Sequence, residues 1–145
     1  MILMELAKQN ESEDIHKIIK SLSKEDSDHV GGGYWVNSDH VIYRKVHYVN
    51  KEPVGFIDVY ELPRSKNIGM VILAVDGKYR GQGIARRMSS EMIRHFKSKK
   101  SNIEKLRWLV DVDNMASARL AESLGFKRNP SHKNKDEYEY LYELR

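Results

Sequence analysis

Between Ala74 and Met88 the sequence reads AVDGKYRGQGIARRM, with glycines at 77, 81 and 83 and arginines at 80, 86 and 87. A turn of this composition between an apolar run and a helix start can hold a phosphate. The first N–H groups of a helix have no partner within it and favour anions. Glycine at 81 and 83 lets the backbone approach a pyrophosphate with no side chain between. Arg80, Arg86 and Arg87 bring positive charge to the same place. Two better-known phosphate motifs do not fit. A P-loop requires G-x-x-x-x-G-K-[ST], but Gly83 is followed by Ile84 rather than lysine. The dinucleotide pattern G-x-G-x-x-G begins at Gly81 and Gly83 but has Arg86 in place of the third glycine.

Other chemistries are excluded by composition. The chain has no cysteine, which removes disulfides, thiolate metal sites and a cysteine nucleophile together. Its six histidines show no H-E-x-x-H or similar spacing, so no metal site is expected. A net charge of +4 and a sequence pI near 9.2 suit a polyanionic partner, either nucleic acid or a nucleotide-bearing cofactor.

The elements that must position this loop follow from periodicity. Ile2, Met4 and Leu6 alternate, which predicts a half-buried strand. Ser12 reads as the cap of a helix whose apolar face is Ile15, Ile18, Ile19 and Leu22. The polar stretch SKEDSDHVGGGYWVNSDH, broken at Gly31 to Gly33, predicts a loop or short helix. VIYRKVHYV and PVGFIDVYEL flank a turn at Asn50 to Glu52 and predict a hairpin. After a turn at Pro63 to Lys66, IGMVILAV is a nearly unbroken apolar run, as in a central strand covered on both faces. The glycine loop comes next, then a helix with Ile84, Met88, Met92 and Phe96 in one stripe. KLRWLVDV predicts a strand and NMASARLAESLGF a helix, capped by Asn114 and ended by Gly125. The final strand carries Tyr138, Tyr140 and Tyr142 at alternate positions. The result is an α/β or α+β arrangement with no internal boundary.

Arg80, Gly83 and Ala85 spell R-x-x-G-x-A, and ILAVDGKYRGQG leads into it. This resembles the acetyl-CoA loop of the GNAT family of N-acetyltransferases. NMASARLAESLGF carries that family's N-x-x-[AS] at Asn114 and Ser117 and its closing L-G-F at Leu124, Gly125 and Phe126. One helix and one strand separate the two motifs, as in the family, and the order of elements agrees over nearly the whole chain. The resemblance implies a mixed, mainly antiparallel sheet flanked by helices, with two splayed parallel strands, in one domain over residues 1–145. It implies acetyl-CoA as cofactor and an N-acetyltransferase acting by direct attack of an amine, consistent with the missing cysteine. By the same resemblance, the pantetheine arm pairs with backbone at Leu73, Ala74 and Val75. The pyrophosphate rests on Arg80, Gly81, Gln82, Gly83, Ile84 and Ala85, and Asn114 touches the arm from the next helix. A backbone N–H of the first splayed strand steadies the oxyanion.

Acyl transfer also needs proton handling. An alkyl ammonium of pKa ~10 must lose its proton before attack, and a thiolate of pKa ~8.5 leaves. Here the sequence departs from the family pattern. The tyrosine donor of many relatives falls at Ala121, and KNIGMVIL lacks their early carboxylate. Asp58, Glu61 and Asp111 are the candidate bases, and Ser117 or a tyrosine of the last strand the candidate donor. Tyr34 and Trp35 lie where relatives build the acceptor pocket, or else anchor a loop. The acceptor is a small-molecule or peptide amine, and pairing into a homodimer is common among such relatives.

Two rival classes stay open: an acyl-CoA-binding or sensing domain without turnover, and a basic nucleic-acid-binding module. The second has the charge but no reading motif. At 145 residues, 40% hydrophobic and 32% charged, the chain is of ordinary soluble composition. No apolar run approaches the roughly 20 residues of a membrane helix. MILMELAKQN, with Glu5 early, does not read as a secretory signal, so a cytoplasmic location is expected.

Overall fold

The computed structural model describes residues 2–30, 35–36, 39–98 and 101–145. Helices α1 (Ile2–Ser21) and α2 (Lys24–His29) precede a run of three strands, β1 (Val41–Val49), β2 (Glu52–Leu62) and β3 (Ser65–Val75). Helix α3 (Ile84–Ser98), strand β4 (Lys105–Asp111) and helix α4 (Met115–Leu124) follow. The short β5 (Lys127–Arg128) and β6 (Glu137–Glu143) complete the order.

The strands form one sheet in the order β1-β2-β3-β4-β6-β5. Asn50 and Lys51, at φ 50° and 69°, make the tight turn between β1 and β2; positive φ at both central residues matches the twist of an antiparallel hairpin. All pairs are antiparallel except β3 with β4. That parallel pair is short: Ile68 faces Lys105, Gly69 faces Leu106 and Met70 faces Arg107, after which the pairing stops.

Two apolar layers cover the sheet. On one face Ile15, Ile18 and Ile19 of α1 pack with Trp35, Val36, Phe56 and Ala74. On the other, Ile84, Met88, Met92 and Phe96 of α3 pack with Ile57, Val59, Val71, Leu106 and Val110. Coverage on both faces explains why β3 reads as a nearly continuous apolar run rather than an alternating one. Asn114 caps α4, its Oδ1 accepting from the Ser117 N–H at 3.2 Å, and Gly125 ends it at φ 103°.

Two expectations for the amino-terminal segment are corrected. Residues 2–10 belong to α1 and not to a strand. The alternation spans only Ile2, Met4 and Leu6, while Leu, Met, Glu, Ala, Lys and Gln are all strong helix formers and no turn residue interrupts them. Ser12 is therefore inside the helix and caps nothing; its hydroxyl accepts from Arg44 Nη1 at 3.2 Å. The cap in this region is Ser23, whose side chain accepts from the Asp26 N–H at the start of α2. Among the described residues no helix is long and apolar enough to cross a membrane.

Candidate active site

Because β3 and β4 pair over only three residues, their carboxyl-terminal halves part. Gly69 stands at the closed end. A Cβ there would lie 2.7 Å from Val59 Cγ1 and 3.4 Å from Leu106 Cδ2, so only glycine lets the layers close where the strands separate. The opening has two arms. A notch of about 150 Å³ runs between Met70 to Leu73 on β3 and Trp108 to Asp111 on β4, with Val30 and Tyr60 at its side. A larger cleft of about 310 Å³ continues past Leu73, Ala74 and Val75 to Arg80, Gly81, Gly83 and Ala85. Leu73, Asn114 and Ser117 border both.

The larger arm is built from backbone. Gly81 and Gly83 have φ of 79° and 80°, a region other residues enter only with strain, and nothing lies within 4 Å of where their Cβ atoms would be. The loop is thus both shaped by glycine and left open by it. The Gly83 carbonyl accepts the Arg87 N–H at 3.0 Å, which makes Gly83 the residue at which α3 starts. The N–H groups of the next turn point into the loop, as at any helix beginning. Ile84 is buried in the core below, and Gln82 is exposed and does not border the cleft. Arg80 spans the mouth: its Nε donates to the Val75 carbonyl at 3.1 Å and its Nη2 to Asp26 Oδ2 at 2.7 Å. Asp26, a carboxylate of α2 beside the glycine loop, has no local relation in the sequence that would tie it to that loop.

The smaller arm is built from side chains of distant segments. Asp111 ends β4 and borders the notch, and Ser117 stands at the junction of the arms. Asp58 and Glu61 border neither arm. Asp58 has no exposed surface, and both its oxygens are engaged, Oδ1 by Arg44 Nε at 2.9 Å and Oδ2 by Arg44 Nη2 at 2.7 Å and Trp35 Nε1 at 2.9 Å. It is a closed structural pair, not a base open to an acceptor. Glu61 is at the closed end of the strand pair, opposite Gly69, near Asn102. Trp35 is 2% exposed and packs 6.2 Å from Phe56, so it anchors the segment rather than lining a pocket. Gly31 to Tyr34 lie outside the described residues. Ala121, at the position of the expected tyrosine, is fully buried against the sheet.

Beside the notch a polar array runs along β4 and β6. Glu139 is held by Arg107 Nε and by Asn129 Nδ2, the latter at 2.6 Å. Burial pushes its carboxyl up, but the hydrogen bonds of Asn129 and Arg107 and the charges of Arg107 and His132 outweigh it and hold it below the usual range. His132 Nε2 lies 2.8 Å from Glu137 Oε2. Among the described residues no three His, Asp or Glu side chains gather as a metal site.

A mixed sheet whose single parallel pair parts beside a glycine loop defines the class of acetyltransferase-like α+β proteins. The chain belongs to the acetyltransferase (GNAT) family, whose model matches residues 7–126. A comparison with curated protein sequences finds no match. Among solved structures the chain is similar to smu.2055 of Streptococcus mutans, with TM-score 0.71 and 18% identity over 94% of this chain and 95% of that one. It is similar also to the PaiA N-acetyltransferase of Thermoplasma acidophilum in complex with coenzyme A, with TM-score 0.67 and 13% identity over 92% and 93%. The spermidine/spermine N-acetyltransferase SpeG of Vibrio cholerae matches with TM-score 0.65 and 16% identity over 94% and 90%. At these identities the likeness concerns the fold.

Proposed function

We propose that residues 1–145 form one acyl-transfer domain that moves an acetyl group from acetyl-CoA to the amine of a small molecule or peptide. The observation that carries this reading is the continuity of the two arms. An anion cradle at Arg80 to Ala85 leads along Leu73 to Val75 into the notch between the parted strands. The space above Gly81 and Gly83 and the start of α3 fit a pyrophosphate, and a Cβ at either glycine would intrude on it. The β4-facing edge of β3 beyond Met70 fits an amide-bearing arm, which would extend the sheet where β4 has turned away. The complexed coenzyme A of the PaiA neighbour supports the same reading.

When bound, acetyl-CoA supplies a thioester whose carbonyl carbon the amine attacks while the thiolate leaves. The chain's part is placement. Leu73 to Val75 hold the arm by backbone hydrogen bonds, and Arg80 and the N–H groups from Gly81 to Ala85 hold the phosphates. Asn114 and Ser117 meet the arm from α4, and a β3 N–H aimed into the notch steadies the oxyanion. With no cysteine in the sequence, the amine attacks directly within a ternary complex. The acceptor enters from the side of Val30 and Tyr60. SpeG acts on spermidine and spermine, which supports a small amine as one acceptor class.

Acetyl-CoA should raise the melting temperature, because a ligand of the native state stabilises it. An amine panel with acetyl-CoA should then release free thiol. Ala121, buried where relatives carry tyrosine, favours a second reading as an acyl-CoA-binding domain without turnover. Stabilisation with no thiol release from any amine would select it.

A further inference from the structure

Transfer to an amine leaves a proton to dispose of, and neither Asp58 nor Glu61 is placed to take it. We infer that Asp111, Glu137 and His132 form a line from the notch to the surface along which the acceptor's ammonium proton departs. This inference rests on the N-acetyl transfer proposed above.

Asp111 borders the notch at the end of β4 and faces Glu137 directly across the β4–β6 ladder. Residues directly opposite in an antiparallel pair share a sheet face, with Cβ atoms roughly 4.5–5.5 Å apart, and like charges there are destabilising. The next charged position along this face is resolved differently. Arg107 neutralises Glu139, and Lys105 meets Glu143 at 3.5 Å. At the end bordering the notch two acids oppose each other, and there Glu137 also meets an imidazole. His132 and Glu137 side chains are 15% and 21% exposed, with Nε2 and Oε2 2.8 Å apart. The backbone N–H of His132 donates to the Asn129 carbonyl at 3.3 Å, and the Asn129 side chain is itself fixed to Glu139. The turn that carries His132 is thereby fixed, and the ring itself meets Glu137. Glu137 of β6 meets the ring, and Glu139 of β6, itself paired with Arg107 of β4, lies within reach of its charge. Imidazole is the side chain whose ordinary pKa lets it take and release a proton near neutral pH.

The step balances as follows. An N–H bond of the acceptor ammonium breaks and an O–H bond forms on Asp111, directly or through one water. The electron pair left on nitrogen is the one that attacks. The proton passes from Asp111 to Glu137 and then to Nε2 of His132, which releases it to solvent and leaves both carboxylates ionised. Asp111 is thereby the catalytic residue, and Glu137 and His132 are positioning residues acting through it.

The test is the pH dependence of kcat/KM with an amine found in the thiol-release screen, for wild type, His132→Gln and Glu137→Gln, with acetyl-CoA affinity measured alongside by calorimetry. Wild-type kcat/KM should rise with pH as the proton acceptor at the end of the line becomes available. His132→Gln should lose that rise and fall about ten- to a hundredfold at neutral pH, added imidazole should restore part of the rate, and acetyl-CoA affinity should stay within about twofold. Glu137→Gln, which keeps a hydrogen-bonding side chain but carries no proton, should give the same profile and stands in if His132→Gln folds poorly. Variant profiles that superpose on wild type overturn the line while leaving N-acetyl transfer standing. A wild-type protein that binds no acetyl-CoA and acetylates no amine overturns both.

Discussion

The two arms of the cleft are made of different material. The larger arm is backbone: two left-handed glycines, a helix start and an unpaired strand edge within residues 73–85. The smaller arm is side chain: Val30 after α2, Tyr60 of β2, Met70 of β3 and Asp111 of β4, brought together only by the fold. A site of backbone can hold one ligand chemistry in many proteins because it depends on few side chains. A site of side chains can change its ligand by substitution. In the proposed reaction, holding the cofactor belongs to the first arm, and the choice of acceptor to the second.

The sharpest way to break this contrast is Gly83→Glu. The substitution puts a side chain at φ 80°, where only glycine is unstrained, and an anion where the phosphates are proposed to rest. Acetyl-CoA should no longer shift the melting temperature at all, while Gly77→Ala, in open space and without positive φ, should keep the full shift. A retained shift in Gly83→Glu would mean that the backbone arm is elsewhere.

Next in size is Asp58→Ala, which tests whether the region behind the smaller arm is framework. Removing the carboxylate leaves Arg44, whose side chain is 13% exposed, with its charge uncompensated. Breaking a buried pair on one side costs about 3–5 kcal/mol. Urea denaturation should show that loss, with activity per folded molecule unchanged. A stable variant with activity lost by orders of magnitude would return Asp58 to the chemistry.

A smaller effect is expected from Asp26→Asn. Asp26 holds Arg80 in a pair whose side chains are 28% and 50% exposed, and exposed pairs are worth about 0–1 kcal/mol. A phosphate arriving at Arg80 competes with that carboxylate. Calorimetry should therefore find acetyl-CoA bound up to about fivefold tighter in the variant. Weaker binding would mean that Asp26 orients Arg80 for the ligand rather than competing with it.

The same contrast explains what the sequence made legible. Backbone sites leave local marks: Gly81 and Gly83 where φ is positive, Asn114 where a helix needs a cap, Gly125 where it ends. These, with the helix stripe of α3 and the apolar run of β3, were readable from spacing alone. The first ten residues misled because three alternating apolar residues fit a strand and a helix equally, and helix propensity decided. Asp58 misled in another way. A carboxylate in an apolar strand suggests either a base or a buried partner, and its partners, Arg44 and Trp35, are fourteen and twenty-three positions away. The opposition of Asp111 and Glu137 depends on the register of β4 against β6, which no local pattern encodes.

The smallest effect concerns acid, and it bears on the wall of the side-chain arm. Glu139 is pushed up by burial but held net below the usual range by Asn129 and Arg107 and by the charges around them. A carboxyl depressed on folding stabilises the native state above its unfolded pKa, near 4.5, and that contribution is lost as pH falls through the lower folded value. Urea midpoints taken from pH 7 downward should therefore fall more steeply below about pH 4.5 in wild type than in Glu139→Gln. The variant should also be less stable than wild type at neutral pH, because Arg107 then faces an uncharged partner. Parallel acid profiles would mean that Glu139 titrates alike in both states and does not fix the β4–β6 face. The turn that carries His132 hangs from Asn129 on that carboxylate, so a flat result here would also loosen the geometry on which the proton line depends.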